Sequence, residues 1–212
     1  RRYDHRHEEM GDMIEWAVAA KPIPGEILSG DQCVVKTFDG GAIVAVVDAL
    51  GHGADAERSA HVAVGVIEKY AQEPLDLILA ECHASLSRLR GAVMSLAAFD
   101  DRRATLTWVG VGNVEAVLIP GGLLPPRRRE RLLVRGGVVG GTLPTTTTAT
   151  LPIRDGDAVV FATDGVRVDF AERLRPGASL QETADAVLAR ERTGKDDALV
   201  LLARWSTGDA TR

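Results

Sequence analysis

Cysteine is scarce in this chain. Cys33 and Cys82 are the only two in 212 residues, and they form no CxxC pair. That excludes a zinc ribbon and a disulfide-dense secreted scaffold. Aromatic residues make up 4%, too few for the stacking platforms that hold single-stranded nucleic acid. Positive charge is not in excess: 25 Lys and Arg against 30 Asp and Glu leave a net charge of -5. A general nucleic-acid binder would show the opposite balance. No apolar run of about 18 residues occurs, so no transmembrane helix is expected. Arg1 to Asp12 is charged and lacks the apolar core of a secretion signal. The reading is a cytoplasmic protein.

What is present is ordinary for a globular chain: 45% hydrophobic and 26% charged residues. The length suits one domain and buries roughly 70% of the unfolded surface without a staple. Neither a linker nor an internal repeat is visible. The expected organisation is a flexible tail over 1–13, a domain over 14–205 and a C-terminal tail over 206–212. His5 and His7 belong to the first tail and read as solvated.

Strands are expected at Ile14–Ala20, Gln32–Phe38, Ala42–Val47, Ala92–Phe99, Thr105–Val111, Glu115–Ile119, Leu132–Val134, Ala149–Ile153, Ala158–Thr163 and Ala198–Ala203. Ala42–Val47 and Ala198–Ala203 are apolar throughout and Ala158–Thr163 almost wholly so, so they need cover on both faces. Ala56, Ala60, Ala63, Val64, Ile67 and Ala71 recur at helical spacing behind Asp55, a candidate N-cap. A second helix starts at Pro74, carries Cys82 in its apolar stripe and stops before Gly91. Ser179 and Glu182 form a capping box for a third, which Gly194 ends. Pro125-Pro126-Arg127-Arg128-Arg129 reads as a solvated loop. Two packed antiparallel sheets with helices outside, an α+β sandwich, satisfy this pattern most simply.

The chemistry lies in acids at strand ends. Asp31 precedes one core strand, Asp48 and Asp164 follow two others, and Asp196 with Asp197 precedes the last. Carboxylates held rigidly together repel unless divalent cations neutralise them. All-oxygen donors suit Mg²⁺ or Mn²⁺. Asp-Gly is also a common turn dipeptide, so spacing alone leaves both readings open. Gly110-Val111-Gly112-Asn113-Val114-Glu115 joins two strands and lacks a third glycine, which excludes a dinucleotide loop. His61 lies beside an apolar helical stripe and reads as structural. His52, four residues after Asp48, can face a site. No GxSxG elbow occurs.

Asp48-Ala49-Leu50-Gly51-His52-Gly53, Ala162-Thr163-Asp164-Gly165 and Lys195-Asp196-Asp197-Ala198 follow in order, with Ser29-Gly30-Asp31 upstream. In this the chain resembles the sporulation-stage-II-E (SpoIIE) branch of the PPM, or PP2C-like, metal-dependent phosphatases. Within that branch it is similar to the RsbX-type stressosome phosphatases. The stretches Arg90-Gly91-Ala92-Val93, Trp108 to Glu115 and Gly136-Gly137-Val138-Val139-Gly140 support the likeness, which covers roughly Glu15 to Arg204.

The resemblance implies a PP2C-like α-β-β-α sandwich holding two divalent cations, Mn²⁺ or Mg²⁺. It implies that Asp48 bridges them and that the Ala49 carbonyl, Asp164 and Asp196 complete the ligands. Asp31 corresponds to an outer acid of the metal site that positions metal-bound water or a third ion, Asp197 to a residue that orients Asp196, and Gly165 to a support behind the ligands. Leu199 stands where a threonine is common. His52 is a candidate general acid without a positional match, and the arginine that grips phosphate in animal enzymes has no counterpart. The implied reaction is attack of a metal-bridging hydroxide on phosphoserine or phosphothreonine of STAS-domain stressosome proteins, by a monomeric enzyme with no nucleic-acid or membrane partner. Alternatives are a phosphatase of a free anti-sigma-factor antagonist and a non-catalytic binding module of the same fold. The helices Asp55–Ala71 and Leu75–Leu89 correspond to a region thought to act as a switch in related phosphatases.

Overall fold

The computed structural model describes residues 13–121, 128–173 and 179–206. Nearly all of both expected tails, and Pro125 to Arg127 of the proline-arginine loop, lie outside the described residues. Ten strands and three helices follow in the order β1 (Ile14–Lys21), β2 (Asp31–Phe38), β3 (Gly41–Ala49), α1 (Ala54–Lys69), α2 (Leu75–Leu86), β4 (Ala92–Asp100), β5 (Thr105–Val111), β6 (Glu115–Ile119), β7 (Glu130–Arg131), β8 (Ala149–Pro152), β9 (Ala158–Ala162), α3 (Leu180–Glu191) and β10 (Ala198–Trp205). The strands form two antiparallel sheets, ordered β1-β10-β9-β6-β7 and β2-β3-β4-β5-β8.

Period-two alternation in the apolar strands explains why they need two covers. In β3, Val44 and Val46 enter the layer between the sheets, while Ile43, Ala45 and Val47 face α1 and α2. In β10, Leu199, Leu201, Ala203 and Trp205 face the inter-sheet layer, and Ala198, Val200 and Leu202 face α3. Phe99 and Trp205 stack across the middle, with ring centroids 5.7 Å apart. The result is the expected four-layer sandwich. Cys82 is fully buried in the helix-side core.

Several boundaries differ from expectation. Gly53, at φ +77°, is the N-cap of α1, and Asp55 lies inside the first turn. A backbone with positive φ suits glycine, so the chain enters α1 without a side-chain cap. Helix α2 ends at Leu86, where the backbone tightens into i→i+3 turns, the Ser87 amide donating to the Ala84 carbonyl and the Leu89 amide to the Leu86 carbonyl. The short strand expected at Leu132–Val134 is Glu130–Arg131, paired with Val117 and Leu118. His61 lies on α1 as expected, exposed, with its Nδ1 2.9 Å from the Glu57 carbonyl oxygen one turn earlier. The capping box at Ser179 and Glu182 is present. No helix among the described residues is long and apolar enough to cross a membrane.

Candidate metal centre

The chain passes from one sheet to the other between β1 and β2 and again between β5 and β6. At that end of the sandwich the strand ends of both sheets meet. Asp31 opens β2 and Asp48 is the penultimate residue of β3, and the two are directly paired across the ladder. Asp164 lies two residues beyond β9, and Asp196 and Asp197 immediately precede β10. Five carboxylates from four separate segments thus reach one place.

Hydrogen bonds across the sheets hold the arrangement. The Thr163 hydroxyl donates to Asp31 Oδ2 at 2.7 Å and accepts from the Leu199 amide at 2.9 Å. The Asp197 carboxylate accepts from the amides of Ile23 and Gly30, each at 2.7 Å. Both ends of the β1–β2 loop are therefore pinned to the start of β10. The Asp197 amide in turn donates to Asp196 Oδ1 at 2.8 Å. Asn113 donates its side-chain amide to Asp164 Oδ2 at 2.9 Å. Gly165 permits the close packing, since a Cβ there would fall 1.8 Å from the Asp197 carbonyl oxygen. The Ala49 amide donates to the Gly30 carbonyl, and a Cβ on Gly30 would crowd the Ala49 carbonyl oxygen at 3.0 Å. His52 is exposed and its Nδ1 lies 3.1 Å from Glu26 Oε1.

The electrostatics are those of uncompensated like charges. Burial and then Asp48 raise the Asp31 carboxyl well above the usual carboxylate range, against the Thr163 hydrogen bond. Burial, with Asp164, Asp196 and Asp197, pushes Asp48 up to about 8. Asp164 is raised by partial desolvation and by Asp196, against the Asn113 bond. Asp48 receives no hydrogen bond and no cation pairs with any of the five among the described residues. Among the described residues no three of these side chains lie close enough round one point to hold an ion as they stand.

Thr163 and Asn113 were not singled out from the sequence. Thr163 stands inside the Ala162–Gly165 motif, and Asn113 inside the rejected glycine loop. Their hydrogen bonds join residues 132 and 51 positions apart, which no local pattern reveals. Asp197 does more than face Asp196: its carboxylate is spent on the β1–β2 loop, and its amide meets Asp196.

The phosphoserine phosphatase RsbX of Bacillus subtilis (strain 168) is 28% identical over 183 residues, 86% of this chain and 90% of that protein. A chain from a structure of the bacterial stressosome, described as a modular system adapted to control secondary messenger signaling, superposes with a TM-score of 0.83. It is 27% identical and covers 91% of this chain and 100% of that one. RsbX in complex with magnesium superposes with a TM-score of 0.82 at 27% identity, over 93% of this chain and 98% of that one. The profile of the stage II sporulation protein E (SpoIIE) family matches residues 39–206. The chain, in sequence and in fold, belongs to the SpoIIE family.

Proposed function

We propose that this chain is a metal-dependent protein serine/threonine phosphatase, formed by residues 14–205, that acts in the cytoplasm on phosphorylated STAS-domain proteins of the stressosome. The observation that carries the reading is the cluster of Asp31, Asp48, Asp164, Asp196 and Asp197, which no cation among the described residues neutralises. The similarity to RsbX and to a stressosome structure supports the substrate class.

The donor set fits hard divalent cations. It is all oxygen, it is rich in charge, and Asp48 has no protein donor competing for it. In this reading Asp48, Asp164, Asp196 and the Ala49 carbonyl would hold the ions, with Asp31 as an outer acid of the site. Such ions, when bound, activate water for attack and neutralise phosphoryl oxygens.

The remaining work falls to the chain. Thr163 holds Asp31 in place through one short hydrogen bond. Asn113 and the Asp197 amide orient Asp164 and Asp196 in the same way. Rigid ligands of this kind lower the reorganisation needed at the reacting phosphorus. With its Nδ1 facing Glu26, His52 has Nε2 left to carry a proton toward the departing serine oxygen.

Hydrolysis of p-nitrophenyl phosphate by the purified chain tests the reading. Activity is expected with added Mn²⁺ or Mg²⁺ and none with excess EDTA. Undiminished turnover in EDTA would falsify the metal-dependent reading.

A further inference from the structure

Six large apolar side chains are exposed among the described residues. Two, Trp16 and Leu77, lie on β1 and α2. Three of the other four lie on loops that carry the acids or are held by them, and Leu133 lies on the segment whose backbone bonds to Ala116, Gly110 and Gly112 on either side of Asn113. Ile27, 91% exposed, sits in the loop that Asp197 pins at Ile23 and Gly30, beside the Glu26–His52 contact. Leu50 is two residues past Asp48. Val168, 64% exposed, is four residues past Asp164, and its carbonyl accepts from Arg131 at 2.7 Å. Leu133, 85% exposed, follows Arg131 by two residues. Single exposed apolar residues are normal; here four of six fall on segments that border the acids.

Two cations stand on the same rim. Arg135 is exposed, and its backbone bonds to Gly110 and Gly112 place it beside Asn113, the residue that holds Asp164. Arg167 is exposed three residues past Asp164, with its amide bonded to the Glu191 carbonyl. Neither side chain has a hydrogen bond or ion pair among the described residues. In a chain of net charge -5, unpaired arginines beside these apolar side chains select an acidic partner. The segments bearing these residues are pinned by backbone hydrogen bonds, so little ordering opposes binding.

We propose that this rim is a docking surface for the substrate segment, and that it selects a phosphoserine or phosphothreonine flanked by apolar and acidic side chains. The proposal rests on the phosphatase reading and adds the flank chemistry. Ile27 and Leu50 meet the segment on the Asp48 side, and Leu133 and Val168 on the Asp164 side. Arg135 and Arg167 face its acidic groups.

The test compares three probes in Mn²⁺: p-nitrophenyl phosphate, a phosphoserine peptide flanked by Leu and Glu, and one flanked by Ser and Lys. The wild type is expected to favour the Leu/Glu peptide roughly tenfold or more in kcat/KM. Ile27→Ser and Val168→Ser are each expected to lower that value roughly fivefold and leave p-nitrophenyl phosphate hydrolysis unchanged. Arg135→Glu with Arg167→Glu is expected to reverse the charge preference. Equal kcat/KM for the two peptides overturns the proposal, as does an equal loss on all three probes. A changed oligomeric state in the Ile27 and Val168 variants without a change in peptide preference marks self-association and also overturns it. Absence of p-nitrophenyl phosphate hydrolysis by the wild type rejects the phosphatase reading itself.

Discussion

Asp31 and Asp48 sit directly opposite each other on neighbouring strands, two carboxylates on one rung of the β2–β3 ladder. Like charges so placed destabilise a sheet, and burial adds to the cost. Asp48, pushed up to about 8, keeps in the folded chain a proton that the unfolded chain loses near pH 4. The folded state therefore binds more protons than the unfolded state between those values. Its stability contribution is complete below about pH 4 and is lost as pH rises through 8. In EDTA the melting temperature is expected to fall from pH 5 to pH 8.5. Asp48→Asn is expected to flatten that decline and raise the metal-free melting temperature at pH 8, while activity drops roughly hundredfold or more. A melting temperature in EDTA that ignores pH counts against the electrostatic account. Near-normal turnover of Asp48→Asn counts against its assignment as a ligand.

Thr163 serves two groups at once, donating to Asp31 and accepting from the Leu199 amide. Thr163→Val leaves a buried amide and a buried carboxylate without partners, at a cost of about 1–3 kcal/mol. It also removes the hydrogen bond that lowers the Asp31 pKa, so Mn²⁺ affinity at neutral pH is expected to weaken. Thr163→Ser keeps the hydroxyl and should restore both. Denaturant titration and calorimetry with Mn²⁺ read the two effects separately.

Asp197 holds the β1–β2 loop by two charge-assisted bonds. Asp197→Ala is expected to cost about 2–4 kcal/mol and to speed hydrogen exchange at the Ile23 and Gly30 amides above all others in the loop. Unchanged exchange at these two amides would show that other contacts hold the loop.

Ala60 is fully buried on α1, beside Ala56 and Ala63. These small side chains let the helix lie close on β2 and β3. Ala60→Leu overfills that contact at a cost of about 1–3 kcal/mol. The loop Leu50–Gly53 joins α1 to Asp48, and the Leu50 amide is tied to the Gly91 carbonyl at 2.9 Å. A displaced α1 therefore moves the loop, and Mn²⁺ affinity is expected to change with stability. If stability falls and Mn²⁺ affinity and turnover hold, α1 is a packing layer and no switch.

Much of the fold was legible because it depends on local patterns. The apolar runs Ala42–Val47 and Ala198–Ala203 required cover on both faces, and the helices and the second sheet supply it. The capping box at Ser179 is a four-residue signal and appeared as expected. The first cap of α1 was misread because Asp55 is the usual residue type for the role. Gly53 takes it instead, since the tight entry from Asp48 needs a positive φ.

The candidate site divides along the same line. By itself the sequence determined which acids end the core strands, because a charged residue beside an apolar run marks a strand boundary. Only the tertiary structure decided that Asp31 faces Asp48, that Thr163 and Asn113 hold two of the acids, and that Asp197 closes the β1–β2 loop. Those contacts span up to 174 positions. They exist because two sheets stack with their strand ends together, and no local periodicity encodes which ends will meet.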